Sequence, residues 1–336
     1  MLNKSLNSLS PDYSFNGIDI FKLVCAFMVC MIHIQPFPAP IFGVDMNFWL
    51  QNGICRVAVP FYFTTSGFLL FRKIDFNNID KIRIKYYCFK LFRLLGVWTF
   101  LLFVGGTDHL WYLGALALAV LILAFLIQKG VSIFYLILLS IVAFVIGLLG
   151  DSYYGIITPL KEYGLTKLLI GGYDTIFRTT RNGVFFGLIF VLMGALFAKK
   201  RIVINTKVAF GGLFVSLMLL FYEVYLLKSL SHPKNWNMLA SLLPVCFFCF
   251  YLTSHAEFKE SDFYGRLRVI GLLIFFMHKF VNFFVELIIE IFMNKIRIDL
   301  LPFQFIITIC ITVLFAIAFE RILSKEKFAF IKCILI

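Results

Sequence analysis

Two side chains that hydrocarbon rejects, Lys22 and His33, sit in the apolar run DIFKLVCAFMVCMIH, residues 19–33, with ten residues between them. On an α-helix eleven steps return to within about 20° of one face, and eleven rises separate the groups by about 16 Å along the axis. An ionisable group at membrane depth is costly and characteristically faces a polar cavity. A cation and an imidazole on one stripe therefore suggest a watered groove crossing much of a bilayer. The same spacing also fits a plainer arrangement, in which Lys22 snorkels to the interface and His33 caps the helix before Gln35 and Pro36. Arg56 opens the next apolar segment, RVAVPFYFTTSGFLLFRK, at a depth comparable to His33, and Pro60, Thr64, Thr65 and Ser66 follow it. A structural Arg bonded to backbone carbonyls is one reading, but a His and an Arg brought to one depth by two helices are more simply explained as one site. Imidazole, with an unperturbed pKa of about 6.5, is suited to proton transfer near neutrality.

The elements that must hold these groups follow from composition. The chain has 336 residues, 61% hydrophobic and 15% charged, with a mean hydropathy of +0.94. That composition excludes a water-soluble globule. It predicts an all-α, polytopic membrane bundle in a single domain over 1–336, with about ten spans of roughly 20 residues. Apolar stretches fall at about 18–35, 48–71, 91–104, 109–127, 131–149, 183–198, 208–227, 237–254, 267–290 and 301–323, the third and sixth being short for a full span. With the N-terminus placed in the cytoplasm, most Lys and Arg outside the spans fall in cytoplasmic segments, which predicts both termini inside. The polar stretch 1–17 lacks the pattern of a cleavable signal peptide, so the first span is expected to stay as an anchor.

Basic balance, 31 Lys and Arg against 18 Asp and Glu, is expected from this inside bias rather than from nucleic-acid binding, because the cations do not gather in one soluble segment. Between spans, 72–93 mixes cations, beginning with Arg72 and Lys73, with Tyr86, Tyr87 and Phe89. It reads as an interfacial helix on an anionic leaflet, as a basic cytoplasmic platform for a phosphorylated donor, or as both. On the other side, 150–182 is the longest extracytoplasmic loop, ends in Arg178 and Arg181, and reads as a lid, an acceptor site or a spacer. Cys246 and Cys249 form a CxxC inside LLPVCFFCFYL without a second pair or a nearby His, so they are expected to pack rather than to bind zinc, and no metal is expected.

In order along the chain, GIDIFKLVCAFMVCMIH, RVAVPFYFTTSGFLL, HLWYLGALAL, RNGVFFGLIFVLMGAL and IFFMHKF resemble the motifs of the acyltransferase 3 family of integral-membrane acyltransferases that modify envelope sugars. The first carries that family's cation, ten residues and histidine, with Lys22 in place of the more frequent Arg. A lysine cannot make the bidentate phosphate contacts of a guanidinium. The resemblance implies transfer of a short acyl group, acetyl above all, from cytoplasmic acyl-CoA to a hydroxyl of an envelope carbohydrate at the inner membrane; as a departure from members that carry one, no fused esterase-like or racemase domain is expected. Under it Lys22, Arg72 and Lys73 hold the donor, His33 is the general base, and Arg56 stabilises the oxyanion or orients the acceptor. Ser66, His109, Trp111, Arg181 and His278 bind the acceptor. Ser66 as a covalent acyl carrier is a lesser option, and Ser-Gly packing accounts for it equally. His109 beside Trp111 and Tyr112 also fits an aromatic belt. A transporter or flippase of a small polar solute or lipid-linked sugar is the alternative, with the charged stripe as the permeation path.

Overall fold

The computed structural model describes residues 15–37, 39–159, 164–176, 179–200, 202–230, 233–296 and 303–336. Within them the secondary structure is helical, apart from one isolated bridge between Ile41 and Val44. Six helical segments are long and apolar enough to cross a membrane: Asn16–His33, Met46–Phe71, Asp108–Gln128, Thr206–Ser229, Asp262–Met293 and Gln304–Leu323. Three shorter apolar helices cover Ile133–Leu149, Gly183–Lys199 and Leu242–Ser254. The apolar stretch expected at 91–104 is the second half of a longer helix, Lys81–Leu101. Asp80 starts that helix inside the basic segment by accepting from the Arg83 backbone N–H at 2.9 Å, as an N-cap carboxylate does. Helix also interrupts the expected long loop, at Tyr154–Ile157 and Gly164–Ile176. Arg178 and most of the polar segment 1–17 lie outside the described residues.

We number the helices α1 (Asn16–His33), α2 (Met46–Asn52), α3 (Ala58–Phe71), α4 (Lys81–Leu101), α5 (Trp111–Gln128), α6 (Ile133–Leu149), α7 (Tyr154–Ile157), α8 (Gly164–Ile176), α9 (Leu188–Lys199), α10 (Thr206–Leu230), α11 (Leu242–Ser254), α12 (Asp262–Ile296), α13 (Gln304–Leu323) and α14 (Ala329–Leu335). They form two compact units, one of residues 59–89 and 114–252, the other of 15–58, 90–113 and 253–336.

In the first unit small residues let backbones approach, the packing device of helices that have no hydrophobic drive to associate in lipid. A Cβ on Gly67 would strike the Val191 carbonyl, and one on Gly194 would strike the Thr64 carbonyl, so α3 and α9 meet backbone to backbone. Phe61, Phe68 and Phe197 pack on Phe250 of α11, with centroids 4.9–5.9 Å apart. The segment between α10 and α11 is fastened by two carboxylates. Asp151 accepts from the backbones of Asn237 and Met238 at 2.7 and 3.0 Å, and Glu223 from those of Ala240 and Ser241 at 2.7 and 2.8 Å.

The second unit is built on α12, which packs along α1 and α13. At 35 residues α12 is about 50 Å long and outreaches a hydrocarbon core of about 30 Å. Trp98 of α4 stacks on Phe276 of α12 with centroids 4.6 Å apart and donates to the Leu335 carbonyl of α14 at 3.2 Å. The expected second span is broken within this unit. Asp45 caps α2 by accepting from Phe48 N at 3.0 Å, Gly53 ends it, and a 3-10 turn, Ile54–Val57, carries Arg56 before α3 begins.

Candidate active site

The packed seam between α1 and α12 holds polar groups at two levels, about three helical turns apart. At the N-terminal level of α1, Asp19 is 4% exposed and accepts two bonds from Arg268 of α12, at 2.9 and 2.6 Å. Paired parallel bonds from a guanidinium to a carboxylate are the strongest ion pairing proteins make. One turn on, Lys22 Nζ lies 4.0 Å from the same carboxylate. Lys22 thus belongs to a cluster of two cations around one anion, which carries a net positive charge.

At the far level three imidazoles meet. His33 of α1 stands 5.4 Å from His278 of α12 and 6.2 Å from His109, centroid to centroid, and His109 and His278 are 5.0 Å apart. His109 lies in the short 3-10 turn before α5. Its Nε2 faces the Phe276 carbonyl at 3.2 Å, and His278 Nδ1 faces the carbonyls of Phe275 at 2.8 Å and Ile274 at 3.2 Å. A carbonyl only accepts, so those nitrogens carry the protons. Beside the cluster Asp108 is paired with Lys279. Arg56 stands on the 3-10 turn that packs against α1 and donates to Asn52 at 2.9 Å.

The end of α1 is held from the side. Gln51 of α2 donates to the Met31 carbonyl at 3.2 Å, and Asn47 exchanges two bonds with the Phe37 backbone at 3.1 and 2.7 Å. The backbone on either side of His33 is therefore held rather than fraying.

Of the residues singled out in the sequence, Lys22, His33, Arg56, His109, Trp111 and His278 all belong to this unit. His33, His109 and His278 come together, while Lys22 occupies the other level of the seam. Trp111, half-buried, opens α5 two residues after His109. Ser66, Arg72, Lys73 and Arg181 belong to the other unit. There Ser66 is half-buried on α3 and bonds with the Tyr87 hydroxyl, Lys73 is exposed, and Arg181 reaches Asn237 at 3.4 Å. Cys246 packs against the Thr64 hydroxyl at 3.2 Å. Among the described residues no three His, Cys, Asp or Glu side chains are arranged to hold one metal ion.

Sequence reading missed Asp19, Arg268 and Asp108. Asp19 precedes Lys22 by three, a spacing that places both on one helix face, and that signal was readable. Asp108 is the neighbour of His109, and its partner Lys279 the neighbour of His278, but no local pattern joins the two pairs. Arg268 is 249 residues from Asp19, and only the fold brings it there.

A family model described as an acyltransferase domain matches residues 15–321, from the first residue of α1's cap almost to the end of α13. Among curated proteins, the chain is 29% identical over 288 residues to an amino-acid racemase of Enterococcus faecalis, covering 79% of this chain and 39% of that protein. It is 31% identical over 271 residues to a serine/alanine racemase of Enterococcus gallinarum, covering 70% of this chain and 36% of that protein. The chain thus spans well under half the length of these relatives. No solved structure gives a significant match. With nearly its whole length inside the family model, and with the cation and histidine of its first helix set along one packed seam, the chain belongs to the acyltransferase 3 family.

Proposed function

We propose that this acyltransferase moves an acetyl or other short acyl group from cytoplasmic acyl-CoA to a hydroxyl of an extracytoplasmic acceptor, a carbohydrate of the envelope, with His33 as general base. One observation carries the reading: Lys22 and His33 occupy two levels of one α1 face, about 16 Å apart, both on the seam with α12. Donor phosphates need a cation and the reacting thioester needs a base, and a stretched pantetheine arm bridges a separation of that order. In this scheme Lys22 holds the CoA phosphates. His33 takes the proton as the acceptor O–H bond breaks and the oxygen attacks the thioester carbonyl. Arg56 carries the charge that develops on the carbonyl oxygen. The C–S bond then breaks, the acceptor leaves as an ester, and the His33 proton passes to the CoA thiolate. His109 and Trp111, in the same unit as His33, contact the acceptor.

The topology that goes with this chemistry is a single catalytic domain of about ten spans in the inner membrane, with both termini cytoplasmic. The six long apolar helices and three shorter ones support it, with α4 as the remaining candidate. Purified protein in lipid, incubated with labelled acetyl-CoA and envelope extract, tests the reaction. Labelled acceptor is expected from the wild type and its loss with His33→Ala, and equal product from both removes His33 as the base.

A second reading has one observation in its favour, the racemase names of relatives that are more than twice as long as the matched region. In it the membrane unit carries a small amino acid along the same polar seam, without acyl transfer. Uptake of labelled serine into vesicles, lost with His33→Ala while no acyl product forms, selects that carrier. Acyl product without uptake selects the enzyme.

A further inference from the structure

Two nitrogens of the imidazole cluster are left over. His109 Nδ1 and His278 Nε2 are buried and have no hydrogen-bond partner among the described residues, an arrangement that costs about 1–3 kcal/mol per group unless something satisfies it. Because each ring's proton is committed to a backbone carbonyl on the opposite side, both leftover nitrogens are lone pairs. Two acceptors cannot bond to each other. Within the cluster the remaining ring N–H is that of His33, and a neutral imidazole always has one to give.

We propose that His278 is a positioning residue for His33: its Nε2 accepts the His33 ring N–H and so turns the opposite, basic nitrogen of His33 toward the acceptor hydroxyl. This inference rests on His33 being the base. A linear N–H···N bond between two imidazoles sets their centroids about 5 Å apart. The observed centroid separation of 5.4 Å is close to that distance. His278 is chosen over His109 because His109 lies farther from His33, at 6.2 Å, and faces it edge-on. The resulting chain runs from the acceptor hydroxyl to His33, to His278, to the carbonyls of Phe275 and Ile274, with every tautomer set by an acceptor-only group at its end. The same logic holds the catalytic histidine of a serine hydrolase, where a third group fixes the base by taking its second N–H.

The arrangement gives the cluster two duties. In the resting state the bond selects one of the two His33 tautomers. When His33 takes the acceptor proton, the imidazolium keeps its N–H on His278, and the proton it has gained, on the other nitrogen, is the one delivered to the CoA thiolate. His278 neither gains nor loses a proton in the cycle. Asp108 and Lys279 pair with each other and Arg56 donates to Asn52.

Nitrogen NMR of the full-length protein in lipid, labelled with 15N-histidine, tests the bond without reference to activity. One His33 tautomer is expected, with scalar coupling across a hydrogen bond to a His278 nitrogen. Two His33 tautomers in comparable amounts, or coupling to another group, overturn the proposal. Kinetics then separate positioning from packing. His278→Phe is expected to lower kcat about 100-fold, at the upper end of the effect of an orienting partner, with KM for donor and acceptor within about threefold, and His278→Gln, which keeps an acceptor, to restore at least tenfold of the loss. Equal losses in both variants with unchanged melting overturn it. If the wild type transfers no acyl group to any acceptor, the acyltransfer reading falls while the NMR result still decides the His33–His278 bond.

Discussion

Asp19→Asn isolates the contact that closes the start of the α1–α12 seam. The carboxylate is buried and accepts from Arg268 at 2.9 and 2.6 Å, so the amide leaves one of the two guanidinium bonds facing an NH2 group that cannot accept. Removing one member of a buried pair costs about 3–5 kcal/mol. The Arg268 side chain is 52% exposed, and that solvent and headgroup access reduces the expected loss to about 2 kcal/mol. For a unit of this size the loss appears as a fall of about 4–8 °C in the melting midpoint. The assay is a double-mutant cycle in lipid nanodiscs over wild type, Asp19→Asn, Arg268→Gln and the double variant, with coupling of about 2 kcal/mol expected. Coupling below about 0.5 kcal/mol, the scatter between independent sites, refutes the view that this pair fixes α1 on α12. In Asp19→Asn the Lys22 ammonium also loses its neutralising partner at 4.0 Å, so anion affinity at that end should hold or rise even as stability falls.

Lys22→Ala should raise KM for the acyl-CoA donor about tenfold or more, the value of one charge-assisted contact, with kcat little changed; an unchanged donor KM counts against Lys22 as the phosphate ligand. Gly194→Val should destabilise the first unit by about 1–3 kcal/mol, since its Cβ meets the Thr64 carbonyl and the Phe68 N–H, and thermal melts in nanodiscs read the loss. Burial and the bond to Glu223 at 2.6 Å push the Tyr153 phenol up. Its contribution to stability is therefore complete below the ordinary phenol value of about 10 and lost as pH rises through the folded value; melts across that alkaline range should show the decline in wild type and not in Tyr153→Phe.

Much of the architecture was legible because apolar runs of spanning length announce helices without any knowledge of their partners. Five of those runs form long apolar helices close to their expected bounds, as with 18–35 and Asn16–His33, or 301–323 and Gln304–Leu323. Helix starts were harder. Capping by Asp80 carries α4 back through ten residues of charged sequence that hydropathy had assigned to an interfacial segment, and Gly53 breaks a run that hydropathy read as continuous. In the site, the spacing of Lys22 and His33 was enough to place both on one face, because helix geometry is local. The meeting of His33 with His109 and His278 was not readable from spacing, since packing between α1, α12 and the turn before α5 is decided by contacts far apart in the chain. The same holds for Arg268, whose partner sits near the opposite end of the sequence.

The most direct measurement uses sided proteoliposomes in which labelled acyl-CoA is confined to the face on which α1 begins and a hydroxyl acceptor to the other. Labelled ester should accumulate on the acceptor side with the wild type, fall by at least two orders of magnitude with His33→Ala, and require donor on the Lys22 side. Label reaching the acceptor at the same rate in His33→Ala, or equally well from donor on either face, would contradict a base at one end of the α1 face served by a donor held at the other.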